Sequence, residues 1–465
     1  MTRTASACVA AALAAVVWVC PPAYAVDQPK VDPAAPLPSG EPGPAQPMEQ
    51  RGACETSGVI PGSDPAAATS SQAMLDLPAA WQFSRGDGQL VAVLDTGVQQ
   101  GPLLPNVDPG GDYVGTTDGL TDCDGSGTLV AGIIAGQPVS PDGSEFSGVA
   151  PGAQLVSLRV TSSRFSPRTQ GEDPALERAS FDVATLARAI VHAADLGARV
   201  ITIGSATCVP ADRPVEQDAL GAAIRYAAVD KDAVIVAAAG DSGQTGSGSA
   251  GTSCESNPLT DLGRPQDPRN WAGVTSVSVP SWWQPYILSV GSVTTAGQPS
   301  RFSMAGPWVG VAAPGEDISS VSNSDDGGLA NGLPDNHQKM APVSGTSYAA
   351  GYVSGVAALV RSKYPELNAT QVVHRIIATA HNSARAPSNL VGAGIVDPLA
   401  ALTWQLPADS HAAGTPQEAT KPIALPTPPA PEDSTPRTVA FIGTAALILA
   451  VIVASLAARR RKDAT

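Results

Sequence analysis

Ser347 stands in "SGTSYAAGYVSGVAALV", with Gly and Thr just before it and an Ala-rich helical run after it. That placement exposes a hydroxyl at a helix N-terminus, where free backbone N–H groups and the helix dipole favour developing negative charge. Asp95 closes the apolar run "LVAVLD", so its carboxylate is expected at the carboxyl end of a strand. A serine and an aspartate can support nucleophilic acyl transfer if a base of near-neutral pKa takes the hydroxyl proton and returns it to the leaving group. The base is therefore the residue to look for. Of the five histidines, His192 lies in an amphipathic helical stretch, His374 in "TQVVHRIIATA", His381 just after it and His411 in a Pro-rich segment. His337, in the polar loop "LPDNHQKMAP", is the one that the order of elements can bring near Ser347. A solvated loop histidine is the simpler account of it.

The elements that must hold these groups follow from periodicity. "LVAVLD" (Leu90 to Asp95), "ARVITIG" (Ala198 to Gly204) and "AVIVAAAG" (Ala233 to Gly240) are short apolar runs that read as buried strands. Between Asp182 and Leu196, residues Val183, Leu186, Ala187, Ile190 and Val191 recur at helical spacing, and a second helical stretch lies near Pro214 to Val229. Alternating strands and helices predict an α/β fold, a parallel sheet with helices on both faces, over 75–404. Ser162 to Glu177 and Asp241 to Pro268 read as surface loops.

The ends of the chain have a different character. Residues 1–25 carry Arg3, an apolar run and "AYA", the pattern of a cleaved secretory signal. Residues 26–74 form a Pro-rich extension that either wraps the surface or serves as a short propeptide. Residues 405–437 read as an extended tether, 438–458 as a transmembrane helix, and 459–465 as a basic tail whose "RRRK" stays cytoplasmic. The expected topology is an exported domain on a C-terminal membrane anchor. A net charge of −15 with only 27 Lys and Arg argues against a nucleic-acid partner. Outside the signal, Cys54, Cys123, Cys208 and Cys254 suggest two disulfides in an oxidising compartment, with three connectivities open. Their spacing matches no zinc pattern, no acidic cluster has the convincing spacing of a calcium site although calcium stays open, and no cofactor is expected.

Several motifs occur together in order: "VAVLDTGV", "GSGTLVAGIIAG" (from Gly125), "GVAPGAQL" (from Gly148), "FSMAGPWVGVAAPG" (from Phe302) and "SGTSYAAG". In this order and spacing they resemble the subtilisin-like serine proteases. With the signal, extension, cysteines, tether and anchor, the chain resembles the mycosins, membrane-anchored subtilases associated with type VII secretion. The resemblance implies Asp95 as triad acid and Ser347 as nucleophile. It places Ser126 at the histidine position and Asp241, in "AAAGDSG", at the position of the oxyanion-hole asparagine. It also implies a substrate groove along Gly204, Ser205 and Ala206, pairing of Cys54 with Cys123 and of Cys208 with Cys254, and a type VII secretion membrane complex as partner.

Two departures decide the expected activity. Ser126 has no pKa near neutrality and cannot store the proton, and in subtilisin loss of the histidine lowers turnover by roughly 10⁶. An ionised Asp241 repels an oxyanion that asparagine would hold, and loss of that donor alone costs about 10² to 10³. The expectation is a pseudoprotease acting as a structural or peptide-binding subunit. The alternative is an active endopeptidase that uses His337, a substrate histidine or acidic pH.

Overall fold

Seven strands, most of them rich in Val, Ile, Leu or Ala, form one parallel sheet. In chain order the strands are β1 (Leu90–Asp95), β2 (Val107–Asp112), β3 (Gln154–Arg159), β4 (Val200–Ile203), β5 (Val234–Ala238), β6 (Ile287–Val293) and β7 (Val309–Pro314). Their spatial order is β7-β6-β5-β4-β1-β3-β2, and every pairing is parallel. This computed structural model describes residues 26–406 apart from 141–144, 169–171, 244–253, 260–262, 265, 336 and 384–386. The residues expected to form the signal (1–25), nearly all of the expected tether, the apolar segment 438–458, the basic tail and His411 lie outside the described residues. Among the described residues no helix is long and apolar enough to cross a membrane.

Alternation along each strand divides the apolar side chains between two cores. Val91 and Val93 of β1 pack on one face with helices α1 (Ser126–Ala135), α4 (Thr346–Lys363), α5 (Ala369–Thr379) and α6 (Pro398–Thr403). Ala92 and Leu94 face the other core, with α2 (Pro174–Asp195) and α3 (Asp218–Arg225). Helix α4 is buried from Thr346 to Arg361, which explains its nearly uniform small and apolar composition.

Helix α2 starts well before Asp182, within the stretch that reads as a loop. Asp173 caps it through the Leu176 N–H and Pro174 occupies its first turn, a start signal present in the sequence. The same stretch contains a short strand, Phe165–Pro167, paired antiparallel with Met48–Gln50 of the extension.

The extension is bound to the body along its length. The Tyr113 hydroxyl donates to the Gly40 carbonyl at 2.6 Å, and Gly43 N–H donates to the Asp112 carbonyl at 2.8 Å. Cys54 is bonded to Cys123 and Cys208 to Cys254. Ser57 meets Asn323, whose amide in turn reaches the Asp122 carbonyl at 3.0 Å. The first disulfide and this network brace the turn that leads into α1.

Candidate active site

The sheet sets the location. After β1 the chain builds outward to β3 and β2, then returns to lay β4 on the other side of β1. A ligand crevice forms at the carboxyl ends where this order reverses. Asp95 ends β1 there, and Gly204 follows the end of β4 with its N–H donating to the Leu94 carbonyl at 3.3 Å.

Asp122 fixes the start of α1 against β1. One of its oxygens accepts from the Thr96 hydroxyl at 2.8 Å and the Gly125 N–H at 2.8 Å. The other accepts from the Thr128 N–H at 2.9 Å and hydroxyl at 2.6 Å. Thr96 then accepts from the Gly127 N–H at 2.9 Å. Gly127 is required here, because a Cβ would lie 1.9 Å from the Gly97 carbonyl. The result presents Ser126, 1% exposed, beside Asp95.

Helix α4 brings in the hydroxyl. Asp95 Oδ2 and Ser347 Cβ both lie within 3.6 Å of the point that a Gly204 Cβ would occupy. Asp241 Oδ2 at 3.1 Å and Ser347 Oγ at 3.3 Å flank the corresponding point of Gly345. Asp95, Ser126, Ser347, Asp241 and Gly204 therefore converge. Ser205 lines a small recess with Thr161, Asp182 and Thr207, while Ala206 is buried at 8% exposure.

The electrostatics are dominated by burial and by neighbouring carboxylates. Burial raises the Asp95 carboxyl from 3.8 to about 7; the Thr96 N–H lowers it, the charge of Asp122 raises it, the Ser126 hydroxyl lowers it and Asp124 raises it. Asp95 Oδ2, Ser347 Oγ and the Tyr348 hydroxyl are buried and have no hydrogen-bond partner of ordinary geometry among the described residues. Burial likewise pushes Tyr348 well above the usual phenol range. Tyr348 also lies beside Ser126 and is a participant that sequence reasoning missed, although its position next to Ser347 was a sufficient signal.

Asp241 serves as a hydrogen-bond acceptor at the start of α4. Its Oδ1 accepts from the Thr346 N–H at 2.9 Å and the Thr346 hydroxyl at 2.8 Å, so it caps α4 from outside the helix. Gly345 has no side chain with which to cap that helix itself. The carboxylate thereby sits beside Ser347.

The histidines lie elsewhere. His337 is exposed beyond the Gly332–Pro334 strand, its backbone N–H donating to Asp335, with no hydrogen bond to Asp95 or Ser347. His192 is in α2, His374 is exposed on α5, and His381 faces Asp397 at 3.4 Å.

Residues 86–394 match the sequence profile of the subtilase family, and the chain belongs to that family. Within it the chain is a mycosin: it is 68% identical to Mycosin-3 of Mycobacterium tuberculosis (strain ATCC 25618 / H37Rv) over 468 residues, covering 100% of both. Its fold is similar to the structure of the MycP3 protease from the type VII (ESX-3) secretion system. That match has 63% identity and a TM-score of 0.78, covering 82% of this chain and 100% of that one. It is also similar to a chain in an intact ESX-5 inner membrane complex, at 46% identity and TM-score 0.78, covering 93% of this chain and 100% of that one.

Proposed function

We propose that this chain is a catalytically impaired mycosin that serves a type VII secretion membrane complex as a structural or peptide-binding subunit. The observation that carries this reading is Ser126, buried beside Asp95 and Tyr348, at the position that the family resemblance assigns to the triad's imidazole. A serine hydroxyl can relay a hydrogen bond but cannot hold the proton between attack and departure of the amine. Asp95, which a triad keeps ionised to stabilise an imidazolium, instead tends towards its neutral form near pH 7. Asp241 caps α4 where an amide would donate to the oxyanion, so the two departures remove independent contributions.

The assembly follows from the relatives, one of which is a component of an ESX-5 inner membrane complex. Attachment follows from the sequence. The 438–458 segment is apolar enough to span about 30 Å as a helix, and "RRRK" after it favours a cytoplasmic end. In this topology the globular domain is extracytoplasmic, where the groove along Gly204, Ser205 and Ala206 can receive a peptide without cleaving it.

The test is peptidase activity of the membrane-reconstituted chain, alone and as Ser126→His and Ser126→His/Asp241→Asn, from pH 4.5 to 8. The native protein is expected to be silent, and the double variant to raise kcat/KM by at least about 10³. Cleavage by the native protein that Ser347→Ala abolishes would overturn the proposal.

A further inference from the structure

At the far end of α4, about 24 Å from Ser347 by helix rise, lies an open groove of about 600 Å³. Its walls include Phe83, Lys363, Tyr364, Arg375, Trp404 and Leu406. The Lys363 ammonium lies 4.2 Å from the centroid of the Phe83 ring and 5.6 Å from that of Tyr364. The Arg375 guanidinium stacks on Tyr364 at 4.3 Å and donates to the Ala401 and Trp404 carbonyls, both at 2.6 Å. Among the described residues no carboxylate pairs with either cation, in a chain whose net charge is −15. Burial and the charge of Arg375 both hold the Lys363 amine below its usual range, the sign of a cation without an acid nearby. Phe83 and Trp404, 46% and 54% exposed, supply large apolar faces beside this charge.

Aromatic anchors around unneutralised cations are the composition of a binding hot spot. We propose that this groove docks an extended acidic segment of a partner protein, whose carboxylates approach Lys363 and Arg375 while its apolar side chains rest on Phe83 and Trp404. Recession of the cations favours a peptide over a membrane surface. Arg375 is only 6% exposed and locked onto carbonyls, and Lys363 is flanked by rings, so a flat headgroup layer reaches them poorly while a carboxylate on a chain can enter. The proposal does not depend on whether Ser347 is active.

The test uses the full chain in neutral phosphatidylcholine nanodiscs and fluorescence anisotropy of a labelled nonapeptide alternating Glu with Pro and Leu, against its Gln counterpart. The Glu peptide is expected to bind at least about tenfold tighter, and Lys363→Glu to remove that difference. Lys363→Gln, with an unchanged melting temperature, should remove most of it and guards against misfolding of the charge reversal. Equal binding of the two peptides, or binding indifferent to both variants, overturns the proposal. So does failure of the Glu peptide to bind while Lys363→Glu abolishes either retention on phosphatidylglycerol vesicles or self-association. Those results would assign the groove to lipid or to a second copy.

Discussion

The two ends of helix α4 make opposite use of charge. At its start, Asp241 caps Thr346 while Asp95, Asp122 and Asp124 are buried or nearly buried around Ser347 and Ser126. At its end, Arg361 and Lys363 occupy the last turn, with Arg375 against Tyr364. Both arrangements suit the helix dipole, which favours anions at the N-terminus and cations at the C-terminus. Only the first end lies at the candidate site, where Asp241 caps the helix beside Ser347. Helix α4 is thus complemented by charge at both of its ends.

The sharpest way to break this comparison is to remove the buried charge at the N-terminal end. Asp95→Asn keeps an acceptor for the Thr96 N–H, which bonds Asp95 Oδ1 at 2.8 Å, and deletes the ionisable group. The folded-state pKa is raised from 3.8 to about 7, so between those values the folded chain holds a proton that the unfolded chain has released. The contribution of this group to stability is therefore fully present below pH 3.8 and is lost as pH rises through about 7. Asp95→Asn is expected to stabilise the protein at pH 8 by on the order of 2–4 kcal/mol and to change it little at pH 4. Urea denaturation at both pH values checks this; an equal shift at both would mean that Asp95 is not the group whose burial matters. Asp182, raised to about 6 chiefly by burial despite Arg178, adds a slope of the same sign that the difference between variant and parent cancels.

A smaller effect separates capping from charge at the same end. Asp241→Ala deletes both bonds to Thr346 and should cost about 1–2 kcal/mol, whereas Asp241→Asn keeps an acceptor and should cost a few tenths. If the two variants melt together, the cap contributes nothing and the carboxylate needs another explanation.

Legibility in the sequence followed the range of the interactions involved. Leu90–Asp95, Val200–Ile203 and Val234–Ala238 were readable because a strand buried on both faces needs a continuous apolar run, a purely local property. Phe165–Pro167 was not, because its partner, Met48–Gln50, comes from more than a hundred residues earlier and its own composition is that of a turn. The start of α2 was available in Asp173 and Pro174 but was masked by the polar residues around it. At the site, the oddity of Ser126 and Asp241 was visible at once through their motifs. What Asp241 does in place of donating was not, since its contact with Thr346 spans 105 residues and exists only once β5 and α4 are packed. Tyr348 was hidden in plain view, read as part of an Ala-rich helix although its hydroxyl is buried beside Ser126.

The smallest expected effect lies at the other end of α4. Lys363→Ala removes a last-turn cation and its contact with the Phe83 ring, each worth roughly 0.3–1 kcal/mol at a partly exposed site. It also relieves the repulsion that Arg375 exerts on the amine, which acts in the opposite direction. The net change in thermal stability is therefore expected to stay within about 1 kcal/mol, and to shrink further in 0.5 M salt, where exposed charges are screened. A loss well above that, unaffected by salt, would show that Lys363 is a structural member of the corner formed with Phe83 and Tyr364. A small loss leaves the residue free for recognition. In that case the two ends of α4 differ in kind, one burying its carboxylates beside Ser126 and Ser347 and the other leaving one cation, Lys363, partly exposed beside Phe83.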